Sequence, residues 1–208
     1  MAEIRTIFWD IGGVLLTNGW DHGQRTRVLT GLGLGMDELA AYEARHEAAN
    51  YTWERGLSTA RDYFDKTLFY KPQAFTFEEL WPLVQQQSQV KYPASFEVLA
   101  KLAASKKYSL ATLNNESREL NDYRVEQFEL DKYFGFFVCS GYVGEMKPLP
   151  GIYKTALEIA HRRPETTIFI DDKQENADAA TALGMHGVRF TGDAEVLVAD
   201  LNKLGVEF

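Results

Sequence analysis

A single cysteine, Cys139, excludes any intrachain disulfide. Its place in the apolar run Phe136-Phe137-Val138-Cys139 reads as a buried structural thiol rather than a nucleophile. Basic residues are in deficit, with 22 Lys and Arg against 30 Asp and Glu and a net charge of −8. That balance argues against a nucleic-acid or anionic-membrane surface, and an anionic ligand would need a local cation to hold it. No stretch approaches the roughly 20 apolar residues that span a bilayer. A secretory signal is not expected, because Arg5 and Asp10 soon break the first apolar run. Internal repeats, low-complexity segments and long linkers are missing too. His46, His161 and His186 lack metal-ligand spacing and read as structural or surface residues, and no Ser-His-Asp or zinc pattern is visible. The expectation is a cytoplasmic protein, a monomer or a homodimer. Its 208 residues suffice for one large domain or for a core with a smaller insert.

Present at the N-terminus is a run rich in β-branched and aromatic residues, Ile4 to Trp9, which ends at Asp10 and is followed by Gly12-Gly13. This is the pattern of a buried strand that delivers a carboxylate to a flexible turn. Residues 17–91 differ: apolar spacings of three and four predict helices over 21–30, 37–50, 58–70 and 76–89, with no strand between them. Gly31-Leu32-Gly33-Leu34-Gly35 follows no strand, so it reads as a helix-ending turn rather than a dinucleotide loop. From about residue 92 strands alternate with helices: strand 108–113, helix 118–130, strand 134–139, helix 151–162, strand 167–170, helix 174–183 closed by Gly184, strand 186–190 and helix 194–204. Short loops between such elements imply a parallel sheet covered on both faces. The expected fold is a doubly wound α/β core, residues 1–16 and 92–208, interrupted by an all-helical cap, residues 17–91.

Ligands of an open parallel sheet bind beyond the carboxyl ends of its strands. At those ends lie Asp10, the pair Asn114-Asn115, Lys147 within Gly144-Glu145-Met146-Lys147-Pro148, and Asp171-Asp172 with Asn176 shortly after. Such a group suits phosphoryl transfer. Mg²⁺ prefers hard oxygens and takes one or two carboxylates plus phosphate and water. Asp10 and Asp172 could supply the carboxylates, and a backbone carbonyl near Gly12 a further ligand. Lys147 would neutralise Asp10 and a phosphate oxygen, while Asn114 or Asn115 would donate to the phosphoryl group. Blander readings stand beside these: the asparagines could shape a turn, one of the paired aspartates could cap a helix, and Glu116 reads as a first-turn helix acid.

The sequence Asp-x-Gly-Gly-Val after a first strand, the amide-bearing strand end, Met-Lys-Pro-x-Pro-x-x-Tyr, and Ile-Asp-Asp with a following Asn together resemble the haloacid dehalogenase-like hydrolase superfamily. The helical insert is similar to that superfamily's type-one cap. The resemblance implies Asp10 as nucleophile, Asp172 as second magnesium carboxylate, Lys147 as the third-motif lysine, and Asp171 and Asn176 as supporting acid and amide. It implies a Mg²⁺-dependent phosphatase acting on small phosphorylated molecules, sugar phosphates among them. Two positions depart from the pattern: Asn114 stands where Ser or Thr is usual, and Gly12 stands where most such phosphatases carry an acid/base aspartate. A general acid/base is worth about 10² to 10⁴ in rate, although some similar sugar-phosphate phosphatases also carry glycine there. A 2-haloacid dehalogenase and a catalytically silent phosphate-binding protein are the alternative readings. In the cap, Trp20, His22, Arg25, Arg27, Trp53 and Arg55 are candidates for substrate contact.

Overall fold

The central strand β1, Thr6–Trp9, is buried throughout, as a strand between two layers must be. The computed structural model describes residues 2–208. In it β1 pairs with β2, Ser109–Asn114, on one side and with β4, Thr167–Asp171, on the other. The edges are β3, Phe136–Cys139, and β5, His186–Arg189; all pairings are parallel, in the order β3-β2-β1-β4-β5. Side chains alternate across a strand, so Ile7 and Trp9 face one layer and Phe8 the other. The first layer holds Leu99 and Leu102 of α5, Pro93–Ser105, with Leu197 and Leu201 of α10, Ala194–Lys203. The second holds Ile152 and Tyr153 of α8, Pro150–Ala160, with Ala180 of α9, Gln174–Ala182. Strand order reverses at β1, which puts the residue after it, Asp10, at the middle of the sheet's carboxyl edge.

Between β1 and α5 come four helices: α1, His22–Gly31; α2, Met36–Glu54; α3, Ala60–Thr67; and α4, Phe77–Gln85. Capping boxes start three of them, with Asp21, Thr59 and Thr76 answered by Gln24, Asp62 and Glu79. Gly33, at φ +92°, makes the turn from α1 to α2. The four helices bury a core of their own around Tyr42, Trp53, Tyr63, Phe64 and Leu80. Leu120 of α6, Arg118–Gln127, joins that core from the sheet side. The architecture is thus a doubly wound α/β sheet with an inserted helical cap. Among the described residues no helix is long and apolar enough to cross a membrane.

The main departures from the sequence reading are local. Helix α5, and the single turn α7, Ser140–Val143, were not expected, and α2 continues to Glu54 instead of stopping at residue 50. The helix expected over 118–130 divides, because Glu129 turns left-handed at φ +49° and folds Leu130 back into the sheet core.

The two segments that cross between core and cap lie side by side. Leu16 and Val90 form an antiparallel bridge, and the Thr17 amide donates to the Gln89 carbonyl at 2.9 Å. Arg124 of α6, almost wholly buried, holds both segments. Its Nη2 donates to the Asn18 carbonyl at 2.8 Å, its Nε to Ser88 Oγ at 3.1 Å, and its Nη1 pairs with Glu116 Oε2 at 2.8 Å. Removing one partner of a buried pair leaves an uncompensated charge, which costs about 3–5 kcal/mol. Arg124→Met should therefore lower stability by about that amount in urea denaturation, and Arg124→Met/Glu116→Leu should recover much of it. A loss well under 1 kcal/mol in the single variant would contradict this account of the crossing.

Candidate active site

Asp10 is buried at the end of β1, its amide bonded to the Ile170 carbonyl at 2.8 Å. Lys147 Nζ lies 3.0 Å from Asp10 Oδ1 and 2.6 Å from Asp171 Oδ2. The loop carrying Lys147 is fixed by Asn115: its Oδ1 accepts from the Lys147 amide and its Nδ2 donates to the Lys147 carbonyl, both at 2.9 Å. One N–H of Asn115 remains for a ligand. Asp171 is saturated, because besides Lys147 it accepts from the Lys173 amide at 2.8 Å and from Asn176 Nδ2 at 3.0 and 3.1 Å. Its geometry suits an anchor for Lys147.

Asp172 differs from Asp171 in accepting no hydrogen bond from the described residues. Oxygens of Asp10, Asp171 and Asp172 gather within 4.8 Å of one another. Three carboxylates face Lys147, with Lys173 acting on Asp172 from beside it. Burial pushes the Asp10 carboxyl up to about 7, with Lys147 opposing and Asp171 and Asp172 adding to the rise. Asp172 is raised for the same leading reason. Burial alone would lower Lys147, but the two aspartates beside it win and keep it charged. The excess negative charge and hard oxygen donors fit a divalent cation such as Mg²⁺, which Asp10, Asp172 and the carbonyl of Gly12 would hold.

The two glycines after Asp10 are not equivalent. Gly13 has φ +79°, and a Cβ there would sit 2.1 Å from Asp172 Oδ2, so glycine is required for the close approach. Gly12 is not left-handed, and a Cβ on it would meet the exposed side chain of Asn18 at 3.1 Å, with the backbone of Asn18 and Thr17 at ordinary contact distance. The backbone leaves room for a side chain at position 12.

A cavity of about 260 Å³ opens over these groups. Asp10, Gly12, Asn115, Lys147, Asp172 and Asn176 form its floor. Asn114 stays outside it: successive residues of a strand point to opposite faces, and its Nδ2 donates to Asn121 Oδ1 at 2.9 Å. Cys139, beside Asn114, is fully buried, with its thiol pushed up to about 12 by that burial. The cap contributes Trp20, Arg25 and Trp53 as well as Asp21, His46, Asn50 and Glu54. Arg25 is committed to Glu43 at 2.7 Å and to the Trp20 carbonyl at 2.6 Å. Arg27, Arg55 and His22 lie away from the cavity. Arg27 bonds Gln87 and Arg55 the Gly144 carbonyl, while His22 approaches Glu43.

His46, read from sequence as structural or surface, lines the cavity, and so do Asn50 and Glu54. Their spacing of four places them in one stripe along α2, which was the available signal. Glu116 is no exposed helix acid: it is buried against Arg124, and burial pushes it up to about 7.

The protonation of His46 follows from a chain of hydrogen bonds. Trp20 Nε1, a donor only, gives to the Tyr42 hydroxyl at 3.0 Å; that hydroxyl lies 2.7 Å from the Tyr63 hydroxyl, itself 2.6 Å from His46 Nδ1. Every hydroxyl finds an acceptor only if Tyr42 donates to Tyr63 and Tyr63 to Nδ1. The opposite order strands the buried Tyr42 proton, at a cost of about 1–3 kcal/mol. His46 therefore carries its proton on Nε2. Burial and then Arg25 hold its pKa down to about 4.

Residues 4–184 match the family model for haloacid dehalogenase-like hydrolases, and the chain belongs to that family. It is 26% identical to haloacid dehalogenase-like hydrolase domain-containing protein 3 of Bos taurus, over 91% of this chain and 83% of that protein. It is also 26% identical to flavin mononucleotide hydrolase 1 of Arabidopsis thaliana, over 83% of this chain and 68% of that one. A haloacid dehalogenase family enzyme of Bacteroides thetaiotaomicron, solved with magnesium and inorganic phosphate, superimposes with a TM-score of 0.75 at 22% identity, over 89% of this chain and 93% of that one.

Two measurements test the geometry. Magnesium binding should weaken as pH falls through about 7 and should release protons, because a proton on Asp10 competes with the metal; calorimetry in buffers of different ionisation enthalpy reads both. Equal affinity and no proton release between pH 8 and 6 would remove Asp10 from the ligand set. In ¹⁵N NMR, His46 should show the Nε2–H tautomer and stay neutral at pH 6, whereas Tyr63→Phe should raise its pKa and mix the tautomers.

Proposed function

We propose that the protein is a Mg²⁺-dependent phosphatase that cleaves phosphate monoesters of small metabolites through an aspartyl-phosphate on Asp10. The observation that carries this reading is the state of Asp10, with one oxygen held by Lys147 and a second free of side-chain partners among the described residues, in a cavity with excess negative charge. A carboxylate can attack a phosphate dianion only if their repulsion is cancelled, and Lys147 with a divalent cation would do so.

In this mechanism Lys147 fixes the nucleophilic carboxylate and balances an oxygen of the phosphoryl group. The remaining N–H of Asn115 donates to another oxygen. Mg²⁺, bound by Asp10, Asp172 and the Gly12 carbonyl, would supply the rest of the positive charge. Asp10 attacks phosphorus and the ester oxygen leaves; water then cleaves the Asp10 acyl phosphate and releases inorganic phosphate. The cap excludes bulk water and selects the leaving group. Its carboxylate, amide and imidazole groups suit a leaving group rich in hydroxyls, which favours sugar phosphates. Magnesium and a phosphorylated small molecule are thus the expected partners.

Dehalogenation fits less well, because a haloacid's carboxylate would meet Asp172, which accepts no hydrogen bond from the described residues, and nothing in that reaction needs a metal. A silent phosphate binder would be consistent with Gly12 and is separated by turnover. Phosphate release from p-nitrophenyl phosphate and a panel of sugar phosphates, with Mg²⁺ or EDTA, is the test. The wild type should turn over only with Mg²⁺, and Asp10→Asn should lose at least about 10³-fold in kcat. A folded, metal-bound wild type that releases no phosphate from any ester would overturn the proposal.

A further inference from the structure

Gly12 leaves the proposed reaction without the acid that should protonate the departing ester oxygen, although the backbone there would accommodate one. The cavity and the cluster beneath it hold other carboxylates, and most are already engaged. Asp171 is saturated by Lys147, Lys173 and Asn176. Asp10 and Asp172 flank the metal position. Asp21 caps α1 through the Gln24 amide at 2.9 Å and is exposed to solvent. Glu116 has both oxygens occupied, Oε1 by the Ser117 amide at 2.9 Å and Oε2 by Arg124 at 2.8 Å.

Glu54 is the exception. It is the last residue of α2 and lines the cavity from the cap side, opposite the floor that carries Asp10. Its Oε1 accepts from Asn50 Nδ2 at 2.9 Å, its Oε2 accepts nothing from the described residues, and no ion pair holds it. Its position is nonetheless fixed, because its carbonyl accepts from Ser140 Oγ of the core at 2.6 Å, and the next residue, Arg55, donates to the Gly144 carbonyl at 2.6 Å. Ser140 also accepts from the Glu116 amide at 2.9 Å, so the same hydroxyl ties the cap's last α2 residue to the loop after β2. The charged groups that face Glu54 are Arg25 of α1, Arg124 of α6, Glu116 and Lys173. Burial dominates and raises the Glu54 carboxyl above the ordinary glutamate range, with Asn50 and the three cations opposing. A group so placed holds a proton closer to neutrality than a solvated glutamate does.

We propose that Glu54, delivered by the cap, is the catalytic acid and base that Gly12 does not provide. The proposal rests on the phosphatase reading above. In the first half-reaction a bond forms between Asp10 oxygen and phosphorus as the ester P–O bond breaks, and the Glu54 proton passes to the leaving oxygen. In the second, Glu54 takes a proton from water as the water oxygen bonds to phosphorus and the Asp10–phosphorus bond breaks. Because the acid sits on the cap, only the closed arrangement of cap on core is competent.

The test compares wild type with Glu54→Gln, which keeps the shape and the acceptor for Asn50 but carries no acidic proton. Two esters are used: glycerol 3-phosphate, whose alkoxide needs a proton to leave, and p-nitrophenyl phosphate, whose phenolate does not. Glu54→Gln should lose about 10²- to 10⁴-fold in kcat/KM on the alkyl ester. On the aryl ester it should release a stoichiometric burst of nitrophenol at close to the wild-type rate, followed by slow turnover as the acyl phosphate waits for water. The acidic group should also vanish from the pH profile of kcat/KM. Thermal melting and inorganic phosphate binding, both with Mg²⁺, should match the wild type and so exclude misfolding. Wild-type rates on both esters in Glu54→Gln, or an equal loss on both without a burst, would overturn the assignment. Absence of turnover in the wild type itself would overturn the phosphatase reading instead.

Discussion

A buried ammonium organises the carboxyl edge of the sheet. Lys147 is held between Asp10 and Asp171, and each group around it has a task that follows from that contact. Asn115 spends most of its amide on the Lys147 backbone, while Asn176 and the Lys173 amide complete Asp171. Asp10 and Asp172 are left as carboxylates that no protein donor satisfies in full. Taking charge out of water is expensive unless it is paired and hydrogen-bonded, and here the pairing is complete for Asp171 and incomplete for its neighbours. That incompleteness leaves unsatisfied negative charge at the carboxyl edge, which under the proposed function a divalent cation would balance.

The cap is bound to this edge by polar contacts rather than by an extended apolar seam. Ser140 and Gly144 of the core receive Glu54 and Arg55. Glu119 accepts from the Ala60 amide at 2.8 Å, and Leu120 is the core's contribution to the cap's own cluster. Interfaces of this kind are consistent with movement between domains. The cap's interior, by contrast, is densely aromatic, with Trp53 stacked on Tyr63 at 4.3 Å. It would move as a unit, and the hydrogen-bonded line from Trp20 to His46 would travel with it.

Much of the core was legible in the sequence because each of its signals is local. A β-branched run ending in Asp10, the Lys147-Pro148 loop and the Asp171-Asp172 strand end each state their chemistry within a few residues. The parallel sheet follows from alternation of strand and helix. Helix α5 escaped because its apolar residues were read only as the start of the alternating region. Asn114 was placed with Asn115, although a strand's alternation separates them. The cap side of the site was least legible. His46, Asn50 and Glu54 are polar residues at helical spacing, which is also the pattern of a solvated face, and their burial depends on contacts far along the chain. Glu116 and Arg124 illustrate the same point: an acid near a helix start and an arginine two turns later look like surface residues until the cap covers them.

The pairing of the two crossing segments has a broader meaning. Leu16 and Val90 are bridged, and Thr17 bonds Gln89, so the excursion through four helices leaves the core and returns to it at nearly the same point. For the sheet, the whole helical unit is the equivalent of a hairpin turn. A shorter connection could close the same gap without rerouting any strand, and a different unit could be carried there without disturbing the charge cluster beneath it. The fold therefore keeps the charge cluster in residues that the sheet fixes, and carries what covers that cluster in a module attached at a single doorway.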